Sequence, residues 1–174
     1  MRRIIFPGTF DPIHFGHMDI ANRSLNLFDE LVIAVYDKPL KNLLFSPSER
    51  IELTRQAFAS NPQVRVEGYS GLTITYAKSI GACAILRGLR VFSDFEYEFR
   101  MALANKRLDP AIEVIALITQ EQHTFLSSST VKEIAALKGN VSSMVPDHVA
   151  KAMELKFAEL GENQSIIPLT SMRD

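Results

Sequence analysis

The chain has 174 residues, of which 47% are hydrophobic and 22% are charged, and its formal net charge is −1. This length suffices for one domain with a sizeable core, and the near-neutral charge excludes a global basic field that would recruit nucleic acid or a membrane surface. Cys83, the single cysteine, lies in an apolar run, so we expect it to be buried. No internal disulfide is possible and no apolar run reaches the length of a membrane span, which favours a cytoplasmic protein.

The N-terminal residues predict a strand, a turn and a helix in quick succession. Residues 3–6 form a short apolar run typical of a buried strand. The segment FPGTFDPIHFGH (residues 6–17) follows, and helical spacing of apolar residues begins at Met18. A turn between a strand and a helix directs backbone N–H groups and the positive end of the helix dipole at one point, which suits phosphate. This segment is therefore the first candidate for a nucleotide site.

Four further strands are predicted to alternate with helices along the chain. The predicted strands are residues 31–35, 64–67, 84–87 and 114–118, and the predicted helices begin near residues 46, 74, 93, 130 and 146. Ser46 and Ser93 are predicted N-caps, because each has Glu three residues later. The alternation predicts an α/β fold with a doubly wound, five-stranded parallel sheet. We expect one domain over residues 1–160 and a loosely ordered tail over residues 161–174.

Polar clusters follow the predicted strands, at the edge of the sheet where ligands of doubly wound folds bind. One cluster comes after each strand in turn: Thr9 to His17, Lys38 with Lys41, Leu72 with Thr73, Arg87 to Arg90, and His123 to Ser129. Because the carboxyl ends of parallel strands lie at one edge, we expect these side chains to converge on a single site.

The residue types in these clusters favour phosphoryl or nucleotidyl transfer. The site would hold cations or potential cations, namely His14, His17, Lys41, Arg87 and Arg90. No serine, cysteine or lysine is paired with a credible base, so nucleophilic catalysis is not indicated. Positioning and charge stabilisation supply most of the catalysis of phosphoryl transfer. An acceptor that is itself a phosphate would need no base at all.

Ordinary structural roles also fit some of these residues. His14 and His17 as zinc ligands would lack a cysteine or acidic partner at ligand spacing. Lys41 in a polar loop can be solvated surface, and a serine at a helix start can be a cap alone. Three consecutive serines exceed what one cap needs, which leaves hydroxyls for a second phosphate.

Five motifs together resemble a known family. GTFDP (residues 8–12) and HxGH (residues 14–17) resemble the signature of the nucleotidyltransferase superfamily. LRGLR (residues 86–90), DFEYE (residues 94–98) and SSSxxK (residues 127–132) make the chain similar to phosphopantetheine adenylyltransferases over about residues 3–158.

The resemblance implies a Rossmann-like nucleotidyltransferase fold and a defined reaction. The enzyme would move AMP from ATP to 4′-phosphopantetheine, giving dephospho-coenzyme A and pyrophosphate in the penultimate step of coenzyme A synthesis. Mg²⁺ would be held mainly by the ATP phosphates, with no metal-ligating side chain. The resemblance also implies a homohexamer and feedback inhibition by coenzyme A, with no nucleic acid or membrane as partner.

The resemblance further implies roles for individual residues. His17 would stabilise the transferring phosphate, with Lys41 and Arg90 as further catalytic groups. The acceptor would contact Thr9, Lys41, Thr73 and Arg87. ATP would contact Thr9, Phe10, His17, Gly88, Leu89, Arg90, Glu98, His123, Thr124, Phe125, Leu126, Ser127, Ser128 and Ser129. His14 stands where many members have Thr, and Phe6 where many have Tyr, so the role of His14 is open.

Two other functions fit these motifs less well. One is a different adenylyl- or cytidylyltransferase, such as one acting on nicotinate mononucleotide, and the LRGLR and DFEYE motifs argue against it. The other is a non-catalytic nucleotide-binding module, which would have no need to keep His17, Lys41 and Arg90 together.

Overall fold

The computed structural model describes residues 1–38 and 43–162. Five parallel strands form one sheet in the order β3-β2-β1-β4-β5, and six α-helices join or follow them. The strands are β1 (Arg3–Gly8), β2 (Glu30–Tyr36), β3 (Val64–Tyr69), β4 (Ala84–Leu89) and β5 (Glu113–Ile118). The helices are α1 (Phe15–Ser24), α2 (Pro47–Ala57), α3 (Thr73–Ser79), α4 (Phe92–Leu108), α5 (Ser128–Ala136) and α6 (Asp147–Glu162). The prediction of a doubly wound α/β fold is confirmed.

Strands β1 and β2 are buried on both faces of the sheet, because their side chains are apolar at successive positions. Ile4 and Ile33 point to one face, where they pack in a cluster with residues of α1, α2, α5 and α6. Ile5 and Val32 point to the other face, where they pack with Ile74 of α3. Burial of this kind supplies the main driving force of folding. It also fixes the strand register, since a slip by one residue would exchange the two faces.

Two predicted boundaries shift because strand pairing continues further than the apolar runs. β1 extends to Gly8, which pairs with Val35, and β4 extends to Leu89, which pairs with Ile118. Gly88 and Leu89, predicted to open a loop, are therefore the last residues of a strand. Backbone hydrogen bonds to β5 hold these two residues, so the backbone on this side of the site is rigid.

Three local predictions are corrected or delimited by the structure. Ser93 is not an N-cap, because α4 begins at Phe92 and the Asp94 carboxylate accepts the Val91 N–H instead. Cys83 is exposed rather than buried, and it lies one residue before β4 begins at Ala84. The last helix continues through Glu162, and the remainder of the predicted tail lies outside the described residues. Within the described part of the chain, no helix is long and apolar enough to cross a membrane.

Candidate active site

A cavity of about 380 Å³ opens at the carboxyl ends of β1 and β4. This is the point where the strand order reverses direction, with β2 and β3 on one side and β5 on the other. Doubly wound folds bind their ligands at such a point. Eight residues to which the resemblance assigns a role line the cavity together: His17, Arg87, Gly88, Arg90, Glu98, His123, Ser127 and Ser128.

His14 and His17 fix each other at the start of α1. His14 is the N-cap, and its Nδ1 accepts the backbone N–H of His17 at 3.3 Å, while Nδ1 of His17 accepts the backbone N–H of His14 at 3.3 Å. The two rings stack with their centroids 3.6 Å apart. A neutral imidazole that accepts at Nδ1 carries its proton on Nε2. Both rings also line the cavity, so each offers it an N–H donor.

Burial favours the neutral form of both histidines. Burial and the charge of Arg90 lower the pKa of His17 to about 3. Burial, followed by the charges of His17, Arg90 and His123, lowers the pKa of His14 well below its ordinary value. The two histidines were expected among the potential cations of the site, and this expectation is corrected, because the lowered pKa values favour neutral rings that act as donors. The positive charge that lines the cavity comes from arginine.

Phe10 supports His17 from the core side. Its backbone has φ of 49°, an uncommon conformation for a residue other than glycine, and its side chain is buried. The ring lies edge-on to His17 and to Phe6, with centroids 5.0 and 5.5 Å away. A Cβ added to Gly8 would meet the Phe10 ring at 2.9 Å, so only glycine fits at that position.

Arg87 and Arg90 are held at the cavity by carboxylates and backbone carbonyls. Arg87 Nε lies 3.1 Å from Glu98 Oε2, an ion contact without hydrogen-bond geometry, and Nη1 donates to the Pro7 carbonyl at 3.2 Å. Arg90 Nε donates to Asp94 Oδ2 at 3.1 Å, and its Nη1 donates to the Leu126 carbonyl at 2.8 Å. Burial raises the pKa of Glu98, although Arg87 opposes the shift. The guanidinium groups are thereby set in fixed orientations.

The start of α5 supplies a second set of donors. Ser127 is the N-cap and accepts the Thr130 N–H at 3.0 Å, while Ser128 Oγ donates to the Pro12 carbonyl at 2.8 Å. Free N–H groups and the helix dipole at such an end suit a phosphate. Ser129 is exposed beside them.

Other predicted residues lie around the cavity rather than in its lining. Leu126 is fully buried, so what it offers the site is the carbonyl that holds Arg90. Phe125 is exposed and Thr124 is partly buried, both in the turn before α5. Thr9 is partly buried in the loop after β1, and Leu89 is partly buried at the end of β4.

Thr73, one of the predicted acceptor residues, lies on the β3 side of the sheet edge. Thr73 begins α3, and its hydroxyl is hydrogen-bonded to Tyr69 Oη at 2.8 Å. Arg87 reaches toward the same place, because its charge acts to lower the pKa of Tyr69 against the raising effect of burial. Lys41, the other predicted acceptor ligand, lies outside the described residues.

Three residues of the site region had no predicted role. Arg50 is 0% exposed on α2, and its Nη1 donates to the carbonyls of Thr9 and Tyr36 at 2.7 and 2.8 Å. The sequence signal for this burial was that Arg50 stands three residues before Leu53, on the face of the helix that is buried. Asp94 holds Arg90, as the i, i+4 spacing could have indicated. Asp11 is buried and bonded to three partners, and its position in the GTFDP motif was the only hint.

The similar proteins are nucleotidyltransferases by name, which agrees with a cavity suited to phosphate. A family model described as cytidylyltransferase-like matches residues 5–134, so the chain is a nucleotidyltransferase of the cytidylyltransferase-like class. The phosphopantetheine adenylyltransferase of Caldanaerobacter subterraneus subsp. tengcongensis is 51% identical over 157 residues, covering 90% of this chain and 98% of the relative. The enzymes of the same name from Desulforamulus reducens and Thermomicrobium roseum are each 48% identical, covering 90% and 91% of this chain and 98% and 96% of the relatives. The chain belongs to the phosphopantetheine adenylyltransferase family, which confirms the resemblance drawn from its motifs.

A solved structure supports the fold alone. The crystal structure of the lipopolysaccharide core biosynthesis protein from Thermoplasma volcanium GSS1 matches with a TM-score of 0.54 at 21% identity. The match covers 70% of this chain and 99% of that one.

Proposed function

We propose that this enzyme transfers the adenylyl group of ATP to 4′-phosphopantetheine, which gives dephospho-coenzyme A and pyrophosphate for coenzyme A biosynthesis. One observation carries the proposal. In a chain of this family, a single cavity brings together Arg87, Arg90, the Nε2–H of His17 and the start of α5. All of these groups donate hydrogen bonds or carry positive charge. They match a polyphosphate, and among the described residues that line the cavity no basic side chain is hydrogen-bonded to a hydroxyl group.

In the proposed reaction, a phosphate oxygen of 4′-phosphopantetheine attacks the α-phosphorus of ATP. The bond from the α-phosphorus to the bridging oxygen breaks, and pyrophosphate leaves with that oxygen. The attacking phosphate is already an anion, so no base has to remove a proton. This agrees with His17, whose Nδ1 lone pair is taken up by the His14 N–H and whose low pKa makes it a poor base at neutral pH.

His17 is proposed to stabilise the transition state through Nε2–H. Charge on the non-bridging oxygens of the α-phosphate shifts during transfer, so a fixed donor at that place binds the transition state more strongly than the ground state. Removing one such donor typically costs about 3 kcal/mol. The stacked His14 ring and the edge of Phe10 hold the donor in place before ATP arrives.

ATP is proposed to bind along β4 and the start of α5. Arg90, His123 and the N–H groups of residues 127–129 would hold its phosphates. Gly88 would let the nucleotide approach the strand. The sequence-derived contacts from Thr9, Phe10, Leu89, Glu98, Thr124, Phe125 and Leu126 complete this part of the proposal. The acceptor would bind on the other side of His17, with its phosphate near Arg87, Thr9, Thr73 and Lys41.

Mg²⁺ is proposed to enter with ATP. The cavity offers donors and cations, and its carboxylates Asp94 and Glu98 are each engaged with an arginine. Among the residues that the structure describes, no group of three or more potential ligands is placed to hold a metal ion. The donor set therefore fits an ion carried by phosphate oxygens, where it would neutralise charge on the polyphosphate.

Self-association is proposed through α4. Aromatic and aliphatic side chains are exposed along this helix, with Phe92 83% exposed and the rings of Phe95 and Phe99 stacked beside it. An exposed apolar row of this kind typically marks a protein interface. We propose that copies of the chain cover it for one another, in the hexamer implied by the resemblance. Coenzyme A is proposed to inhibit by competing for the acceptor side, and the cytoplasm is the proposed place of action.

Pyrophosphate release tests the proposed function. With ATP and Mg²⁺, we expect release with 4′-phosphopantetheine and little release with nicotinate mononucleotide. Equal or greater activity with the nicotinate substrate would place the chain with another adenylyltransferase. No release with either acceptor would favour a binding module without catalysis.

A further inference from the structure

Two motif residues that the proposed function leaves without a role form an ion pair with each other. Asp11 belongs to the GTFDP motif and Lys132 ends the SSSxxK motif, 121 positions later. Lys132 Nζ lies 2.6 Å from Asp11 Oδ2. The Asp11 side chain is 2% exposed and that of Lys132 is 24% exposed. The pair therefore joins the two motifs beneath the surface of the site.

The Asp11 carboxylate ties three segments of the chain together. Oδ1 accepts the Phe45 N–H at 2.9 Å, and Oδ2 accepts the Leu44 N–H at 3.0 Å as well as Lys132. Leu44 and Phe45 lead into α2, Asp11 lies in the loop after β1, and Lys132 lies on α5. A buried carboxylate needs such partners, because an ion without them carries a large desolvation cost.

The pair also sets where the start of α5 lies. Ser128 stands one helical turn before Lys132, and its hydroxyl donates to the carbonyl of Pro12, the neighbour of Asp11. Residues four apart lie on the same face of a helix. One face of α5 is thus fastened at two points to the loop that leads to His14. This places the N–H groups at the start of α5 opposite the histidine donors.

The charge of Asp11 has to be neutralised for a polyphosphate to bind nearby. A buried carboxylate repels phosphate strongly, because the interior screens charge poorly. Arg50 is near enough for the Asp11 charge to act on its pKa in the raising direction, against burial. However, the guanidinium N–H groups of Arg50 donate to the carbonyls of Thr9, Tyr36 and Asp37. Among the residues that the structure describes, Lys132 is the cation in direct contact with the carboxylate.

We propose that Lys132 is a positioning residue that serves ATP binding through Asp11, and that it is not itself a ligand of the phosphates. Its ammonium group neutralises the carboxylate and keeps α5 and the entrance of α2 in register with the loop after β1. The part of the inference that concerns ATP rests on the proposed function. The part that concerns the three segments does not.

The first test is a double-mutant cycle read by ATP binding. The affinity for a non-hydrolysable ATP analogue with Mg²⁺ is measured by calorimetry for the wild type, Lys132→Met, Asp11→Asn and the double variant. We expect Lys132→Met to weaken binding by about tenfold, equivalent to about 1.4 kcal/mol. Adding Asp11→Asn should restore most of the loss, because the uncompensated negative charge is gone. A double variant as weak as Lys132→Met would overturn the proposal and make Lys132 a direct phosphate ligand.

Lys156→Met is the matched control. Lys156 Nζ lies 2.8 Å from Glu49 Oε1, and its side chain is 27% exposed, close to the value for Lys132. This pair joins α6 to the first turn of α2 and makes no bond to Asp11. We expect the control to bind the analogue like the wild type. If both methionine variants bound the ATP analogue equally weakly, the proposal would be overturned, because the loss would then not depend on which lysine is removed.

The second test needs neither a nucleotide nor the Asp11 variant to fold. Hydrogen exchange at the Leu44 and Phe45 amides is measured in the ligand-free wild type, Lys132→Met and Lys156→Met. We expect exchange about tenfold faster in Lys132→Met alone, because Asp11 loses the partner that holds its carboxylate. Unchanged exchange there would contradict the positioning role. If the exchange result holds and the wild type does not transfer adenylyl groups, the proposed function fails while the ion pair keeps its structural role.

Discussion

Lowering the pH from 7 to 5 is predicted to destabilise the ligand-free protein. The part of the loss in unfolding free energy that is due to His17 can be calculated from its pKa values. Burial and Arg90 lower its pKa in the folded protein to about 3, against an ordinary value of 6.5 in the unfolded chain. Between these values the unfolded chain binds a proton that the folded protein does not. The free energy of unfolding therefore falls as the pH is lowered through that window.

The size of the effect follows from the two pKa values. Each pH unit below 6.5 costs up to about 1.4 kcal/mol for one such group. From pH 7 to pH 5 the loss for His17 is thus roughly 2 kcal/mol, and the folded protein stays unprotonated at this site throughout. His14 adds to the loss in the same direction, because its pKa is also lowered by burial.

Denaturant unfolding of the wild type and His17→Gln at pH 5, 7 and 8 measures this share. Glutamine keeps an acceptor for the His14 N–H but does not titrate. We expect the wild type to lose about 2 kcal/mol more than the variant between pH 7 and 5. As an internal control, the difference between the two proteins should stay constant from pH 7 to 8. Equal losses at pH 5 would refute the account of a buried, neutral His17.

Three further predictions concern residues around the site. Arg50→Met should lower stability by about 2–4 kcal/mol in denaturant unfolding, because two buried carbonyls lose their donor; a change under 1 kcal/mol would contradict this. Gly8→Ala should cost about 1–3 kcal/mol and slow turnover, because the added Cβ displaces the Phe10 ring; wild-type unfolding and rates would show that the ring yields freely. Phe95→Ser should lower the oligomeric state in sedimentation while a monomer stays folded, and an unchanged assembly would exclude this face as the interface.

The sheet could be predicted because its signal is local. Continuous apolar runs such as residues 31–35 mark strands buried on both faces, and each is bounded by turn residues. The positions of the site followed from topology, since parallel strands bring the residues after them to one edge. Arg87, Arg90 and Ser127 were therefore predicted from their order in the chain, and the structure places all three in one cavity.

The errors arose where contacts between distant residues decide the outcome. The charge state of His17 depends on burial and on Arg90, neither of which its own segment reveals. Val91 takes the N-cap position predicted for Ser93, and Asp94 in the first turn of α4 accepts the backbone N–H groups of Arg90 and Val91. Cys83 lies in an apolar run, yet it precedes the first residue of β4 and is exposed. In the sequence, Arg50 is an ordinary residue of a predicted helix. Its role becomes evident only from the hydrogen bond that it donates to the carbonyl of Thr9.

The most direct test of the central claim compares His17→Ala with the wild type in two measurements. Turnover is followed by dephospho-coenzyme A formation at saturating substrates, and ATP affinity is measured by calorimetry with a non-hydrolysable analogue. His148→Ala is the control, because His148 binds the Leu53 carbonyl between α6 and α2. We predict that His17→Ala lowers kcat by about 100-fold or more and changes ATP affinity far less, since the donor acts mainly in the transition state. A folded His17→Ala protein that turns over near the wild-type rate would contradict the assignment of His17 as the stabilising donor.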